Sequence, residues 1–266
     1  MSALTRDLRE MAAELVEYRE LLTEMTKRDL LLRYKQTVMG FGWAIFMPLV
    51  NTAVFSVIFT RVAPIDTGVP YPLFAFSGLL TWNFFASTLR FSVNSLVSNM
   101  SLVTKVYFPR ELFPLTAMLV SVVDLLVGSL VLIAMMIYYG VSPSPMLLCI
   151  PVVLLVQMTF TMGVGLLLAM ANLFYRDVKY LFEVVITVWM FATSVVYPIG
   201  RLGGRLGMLA MLNPMTPIID AYREILLFHR SPFTGPFLAA TAVSVLCLGV
   251  AWLTFHRAEF RFAENV

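Results

Sequence analysis

Apolar residues return every three or four positions through the first two dozen residues: Leu8, Met11, Leu15, Tyr18, Leu22 and Met25 form one stripe, the spacing of a single helix face. From residue 38 the stripe gives way to blocks. Six predominantly apolar stretches follow, at about 38–59, 71–89, 112–138, 146–173, 180–199 and 236–255. Each is near the ~20 residues that an α-helix needs to cross the hydrocarbon of a bilayer. The pattern predicts an all-α integral membrane protein with an N-terminal amphipathic interfacial helix and six transmembrane helices.

The connections differ in kind. Residues 61–70, with Pro64, Gly68 and Pro70, and residues 140–145 read as plain turns. Residues 91–111 are long and polar, with Ser92, Asn94, Ser95, Ser98, Asn99 and Ser101 ahead of the bases Lys105 and Arg110, and leave room for a short helix. The link F-Y-R-D-V-K at 174–179 holds no helix breaker, so spans four and five are expected to run through it with only a bend. Between spans five and six, residues 206–229 are largely apolar yet broken by Asn213, Pro214 and Pro217. That is too short to cross twice. It fits re-entrant half-helices within about 200–233, with the broken backbone buried in protein, or an ordinary outside loop.

Composition narrows the class. The 266 residues are 59% hydrophobic and 13% charged, with mean hydropathy +0.84; a water-soluble core of this size cannot hide that much apolar surface. Residues 1–37 form the charged interfacial segment, 38–256 one membrane domain and 257–266 a tail. Residues 1–26 carry three bases against six acids, whereas Lys27, Arg28, Arg33 and Lys35 outnumber Asp29 in the next nine. Anionic lipid attracts only the second part, which leaves the acidic part to water or a protein partner. Trp43 falls at head-group depth. With the N-terminus in the cytoplasm, fourteen of nineteen Lys and Arg lie inside, and Arg61, Arg201, Arg205, Arg223 and Arg230 outside, so both termini are assigned to the cytoplasm. No early apolar core marks a secretory signal.

Little catalytic chemistry is visible. No stretch reads G-x-x-x-x-G-K-[ST], and no lysine follows a glycine, so the chain has no Walker-type nucleotide site of its own. Cys149 and Cys247 sit in apolar runs without C-x-x-C spacing and suggest neither a disulfide nor a metal site. Clustered acids or histidines, which a membrane enzyme acting on polyprenyl lipids needs, are missing. Asp124 is the one ionisable residue clearly at mid-membrane depth; it serves either as a hydrogen-bonded tie between helices or as a pathway residue. A proton-coupled secondary carrier needs several such groups.

Three motifs in order carry a family resemblance. R-D-L-L-L-R-Y-K-Q-T-V-M-G-F-G-W-A-I-F-M-P-L at 28–49, N-L-F-Y-R-D-V-K at 172–179 and L-N-P-M-T-P at 212–217 resemble the permease subunits of type-2 ABC exporters that move polysaccharides. The acidic extension before about Leu21 is longer than the pattern needs. The resemblance implies a homodimer with two copies of a separate ABC ATPase in the bacterial cytoplasmic (inner) membrane. It implies no cofactor on this chain, with ATP and Mg on the partner, and no nucleic acid. The implied substrate is a lipid-linked, undecaprenyl-type polysaccharide, O-antigen first, with capsular polysaccharide or teichoic acid as the alternative. More distant readings are a small-drug exporter and the polyprenyl-lipid enzyme.

The same resemblance implies residue roles. Lys27, Arg28, Arg33 and Tyr34, the coupling-helix region with Lys105, Arg110 and Glu111, and the pair Arg176 and Asp177 face the ATPase, although Arg176 and Asp177 equally suit a simple bend anchor. Residues Gly40 to Trp43 form a joint with the first span. Arg28, Arg33 and Lys35 either guide a pyrophosphate-linked lipid head or attract anionic lipid. Trp82, Phe84, Phe85, Trp189, Phe191 and Tyr197, with Asp124, either line the translocation pathway as flat faces for sugar rings or pack the core. Asn213, Pro214 and Pro217 mark the re-entrant segment.

Overall fold

The computed structural model describes residues 16–35, 37–40, 42–105, 108–198 and 212–262. Every regular element among them is helical. In chain order these are α1 (Arg19–Tyr34), α2 (Gly42–Val57), continued by a π turn over Ile58–Val62, α3 (Tyr71–Ser98), the short α4 (Met100–Lys105), α5 (Leu112–Tyr138), α6 (Ile150–Phe174), α7 (Val178–Phe191), α8 (Met215–Leu226) and α9 (Gly235–Phe262). Four helical stretches, Gly42–Val62, Leu112–Tyr138, Pro145–Phe174 and Gly235–Ala258, are long and apolar enough to cross a membrane. The chain is thus an all-α, multi-pass membrane protein, as the apolar blocks lead one to expect.

Helix α3 is the centre of the bundle. Of its 28 residues, 20 are buried, and it packs on α2, α5, α6, α7 and α8. Small residues on it, such as Ala75, Gly78, Ala86 and Ser92, let neighbouring backbones come close, which matters in lipid because packing rather than water exclusion holds helices together. Buried amides bind across helices: Gln157 of α6 donates to the Thr81 carbonyl at 2.9 Å and accepts from the Tyr222 hydroxyl at 3.0 Å, and Asn172 donates to the Val93 carbonyl at 2.8 Å. Around α3 lie one large apolar cluster with Trp82, Phe85, Phe160 and Ile186, and a second at the α1 end with Met25, Leu96, Phe113 and Phe255.

Local signals explain most boundaries. At the end of α5, the Val141 N–H binds the Met136 carbonyl at 2.9 Å and the Gly140 N–H binds that of Ile137 at 3.1 Å; Gly140 takes the left-handed φ of +71° that closes a Schellman motif. The Ser144 hydroxyl then caps the 3₁₀ turn leading into α6 by accepting from the Met146 N–H at 3.2 Å. The polar connection at 91–111 extends α3 to Ser98 and adds α4, the short helix expected there.

Three expectations need correction or refinement. The link at 174–179 is a break rather than a bend: Tyr175 is extended, with φ −133° and ψ 99°, and α7 restarts at Val178. Helix α7 has 14 residues, about 21 Å at 1.5 Å per residue, and gives way to turns at 192–195, so the fifth apolar stretch is not one continuous helix. Of the stretch expected to hold two half-helices, the first part lies outside the described residues; the second part contains the 12-residue α8, with Pro217 in its first turn, where a missing N–H leaves no hydrogen bond broken.

Helices α6 and α9 cross closely at Gly163, where an added β-carbon would stand 2.9 Å from the Leu248 nitrogen and 3.0 Å from Cys247 Sγ. Gly163→Val is expected to destabilise the purified protein by ~1–3 kcal/mol. Thermal unfolding in detergent measures it, with Gly249→Val, which meets open space, as the matched control.

Candidate functional site

Helix α1 is tied to the bundle by charge. At its last turn Arg33 pairs with Asp124 of α5, and the Tyr34 hydroxyl donates to the other oxygen of the same carboxylate. Arg33 also donates to Ser87 Oγ of α3 at 2.8 Å and lies 3.9 Å above the Phe91 ring. Burial first, then the hydrogen bond and the charge of Asp124, push the Tyr34 phenol above its ordinary range, so it remains a neutral donor. Arg33 and Asp124 are 19% and 20% exposed, so removing one partner strands a poorly solvated charge. Met25 of α1, buried, adds an apolar anchor. Asp124 thus joins α5 to α1 through both of its carboxylate oxygens.

Beside this tie a cavity of about 520 Å³ opens between α1, α2, α3 and α5. Helix α3 contributes Asn83, Ser87 and Arg90 at spacings of four and three, one face of the helix. Helix α2 contributes Trp43 and Asn51, and α1 contributes Thr37 just past its end. Arg90 binds Glu183 of α7 at 3.1 and 3.3 Å. Both guanidinium groups at the cavity thus already hold carboxylates.

The remaining coupling candidates gather at the α1 end, with differing exposure. Lys27 pairs with Glu24 at 2.7 Å on the surface; Arg28 holds Asp29 at 2.8 Å and Asn99, just past α3, at 3.1 Å. Lys35, Arg176 and Asp177 are exposed, and Arg110 is partly buried at the start of α5. Lys105 falls in α4, its side chain outside the described residues. Glu111 is only 3% exposed and lies 3.7 Å from His256 of α9, so it joins two helices of this chain rather than facing outward.

The aromatic candidates form a packed cluster. Trp82 and Phe85 are 3% and 0% exposed; Phe85 stacks on Phe160, and Trp189 meets Trp82, Phe85 and Phe160 edge-on. Phe84 is buried as well, although its edge reaches the cavity. The Trp189 indole donates to Asn213 Oδ1 at 3.0 Å, and Asn213 donates to Thr193 Oγ1 at 2.7 Å and accepts from the Met215 N–H at 3.1 Å. Asn213 therefore clasps α7 to the start of α8, with Pro214 at the N-cap of α8. The Tyr197 hydroxyl donates to the Phe191 carbonyl, and the Phe191 ring is exposed.

Arg223, counted from the sequence only as an outside base, sits inside the protein. It is 2% exposed, donates to the carbonyls of Val195 at 2.6 Å and Phe74 at 3.2 Å and to that of Ser194, pairs with Asp220 at 3.4 Å, and stacks 3.6 Å from the Phe74 ring. A β-carbon at Gly78 would collide with its guanidinium. The turns after α7 expose carbonyls that no helix satisfies, and one planar fork of donors holds them. The signal in the sequence was D-A-Y-R, an acid and a base three apart in an apolar helix.

These two knots give measurable consequences. Asp124→Leu is expected to cost roughly 2–4 kcal/mol by leaving Arg33 unpaired; Arg33→Leu combined with Asp124→Leu should recover much of that loss, as a double-mutant cycle of melting temperatures shows. Arg223→Met is expected to cost roughly 3–5 kcal/mol, because several buried carbonyls lose their donor together; proteolysis after residue 191 should rise in parallel.

Comparison with known proteins follows the same helices. Residues 20–227 match the model of the ABC-2 type transporter family. The chain is 32% identical to the O-antigen export system permease protein RfbA of Myxococcus xanthus over 260 residues, which is 96% of this chain and 99% of that one. It is 29% identical to an O-antigen export system permease protein RfbA of Klebsiella pneumoniae over 248 residues, 92% of this chain and 94% of the other. The matched region runs from α1 through α8, and the chain accordingly belongs to the ABC-2 type transporter family of membrane permeases.

Proposed function

We propose that this chain is the membrane permease of an ATP-driven exporter of O-antigen polysaccharide. The single observation that carries the reading is the end-to-end likeness to O-antigen export permeases, 32% over 96% of the chain. The polar cavity between α1, α2, α3 and α5 supports it, since an otherwise apolar bundle has no structural need for converging amides and hydroxyls at that depth. The substrate is carried as a lipid-linked glycan, handed from the inner to the outer leaflet of the bacterial cytoplasmic membrane through a passage between two copies of the chain.

The finer roles follow from the absence of a P-loop motif in the sequence. A separate ABC ATPase, two copies per permease pair, binds ATP and Mg and drives the cycle. Six crossings, counting α3 and the short α7, put both termini in the cytoplasm, and α8 forms a re-entrant half-helix at the outer face. The ATPase docks at the α1 end, where exposed Lys27, Arg176 and Asp177 and the α4 segment with Lys105 meet it. Through Arg33, Tyr34 and Asp124, movement of α1 reaches α5 directly.

Deleting the gene is expected to abolish surface O-antigen while lipid-linked glycan accumulates inside, and affinity purification of the tagged chain should recover an ABC ATPase. Normal surface O-antigen in the deletion strain contradicts the proposed substrate, and a preparation active without any ATPase contradicts the proposed mechanism. Arg176→Ala with Asp177→Ala is expected to lower permease-stimulated ATP hydrolysis several-fold at normal expression.

A further inference from the structure

Two amides at the cavity are left over once its charges are assigned. Arg33 holds Asp124 and Ser87, and Arg90 holds Glu183, so the cationic groups are neutralised by carboxylates of this same chain. Asn51, exposed, and Asn83, half-buried, also line the cavity, and neither carboxamide has a hydrogen-bond partner among the described residues. Asn83 lies twelve residues into α3, about 18 Å along its axis. Asn51 lies nine residues into α2, about 14 Å along. Both are far from the helix ends.

An unpartnered amide at that depth is costly in lipid. Gln157, seven residues into α6, meets that cost by binding the Thr81 backbone carbonyl across helices; Asn51 and Asn83 do not. Their common feature is the cavity they share with the half-exposed Trp43 indole. A carboxamide donates and accepts in one plane, which suits neighbouring hydroxyl groups, and an indole offers a flat apolar surface to the C–H face of a sugar ring. A phosphate would instead compete with the carboxylates of Asp124 and Glu183 that already hold the two guanidiniums here. The volume, about 520 Å³, lies within the ~300–1,000 Å³ of small-molecule sites.

We infer that the cavity is a sugar-binding subsite in which Asn51 and Asn83 hydrogen-bond glycan hydroxyls and Trp43 covers a ring face. The inference rests on the polysaccharide-export reading and deepens it: the contact to substrate is by amides on α2 and α3, while the buried Trp82 and Phe85, with the partly buried Trp189 against them, pack the bundle. The site reads hydroxyl geometry and not charge, so it accepts the repeating sugars rather than the lipid diphosphate.

The test uses the permease–ATPase complex in nanodiscs, with Asn51→Leu, Asn83→Leu, the smaller Asn83→Ala, and Trp43→Phe. Two probes are titrated: glycan released by mild acid from the host's O-antigen lipid, and polyprenyl diphosphate carrying no sugar. Wild type is expected to bind released glycan with quenching that Trp43→Phe removes, and each Asn variant should weaken it tenfold or more. Melting temperatures should stay at wild-type values, because leucine and alanine suit hydrocarbon better than asparagine. Lower melting temperatures would show that the amides hold the fold and overturn the site, as would glycan affinity unchanged in all Asn variants. Variants that lose only polyprenyl diphosphate binding would assign the cavity to the lipid head instead. No glycan binding by wild type, with the complex intact, would defeat the polysaccharide reading itself, an outcome distinct from a glycan that binds regardless of Asn51 and Asn83.

Discussion

Lipid hydrocarbon offers no hydrogen bonds, and most of this bundle follows from that constraint. Each polar group carried into the apolar blocks must find its partner within the protein. Gln157 and Asn172 take backbone carbonyls of α3. Asp124 takes Arg33 and Tyr34. The carbonyls released where α7 stops are gathered by Arg223. The partners of these ties lie far apart in sequence, so satisfying them fixes which helices are neighbours. Helix α3 is central because small residues along it admit close backbones and because the donors of α6 and α8 converge on its carbonyls.

The same constraint joins the two ends of the molecule to different tasks. At one end an amphipathic helix is bolted by a partly buried ion pair to α5 and by hydrogen bonds to α3, so α1 cannot shift without moving or breaking that pair. At the other end a short helix is held by a single guanidinium and by Asn213, both bound to the turns after α7. Between them lies a cavity whose charges are internally paired and whose amides are not. The tie, the held turn and the open polar pocket are the parts on which the proposed permease function draws.

Hydrophobic pattern made the all-α membrane class legible, because the bilayer sets a length of about 20 residues and four of the six apolar blocks form helices long and apolar enough to cross it among the described residues. The break before α7 was not legible: F-Y-R-D-V-K contains no proline or glycine, and only the extended Tyr175 stops the helix. Charge counting places Arg223 only among the outside bases, since a count by segment cannot see that the base folds back into protein. Asp124 stood out by depth, but its partners, 90 and 91 residues away, left no local trace. Trp189 and Phe85 drew attention as aromatics at mid-span, yet aromatic character is the same for packing and for contact with sugar. Asn51 and Asn83 carry no signal in the sequence, because each is an isolated amide in an apolar run, and only their convergence on one cavity distinguishes them.

Transport in a defined system tests the whole account most directly. The permease and its ABC ATPase are reconstituted into proteoliposomes with lipid-linked O-antigen glycan on the ATPase side, and glycan reaching the opposite leaflet is measured by its access to a membrane-impermeant glycosidase. The account predicts transfer that requires ATP, Mg and both subunits. Transfer at the same rate by the permease alone, or its failure with both subunits, ATP and substrate present, would contradict it.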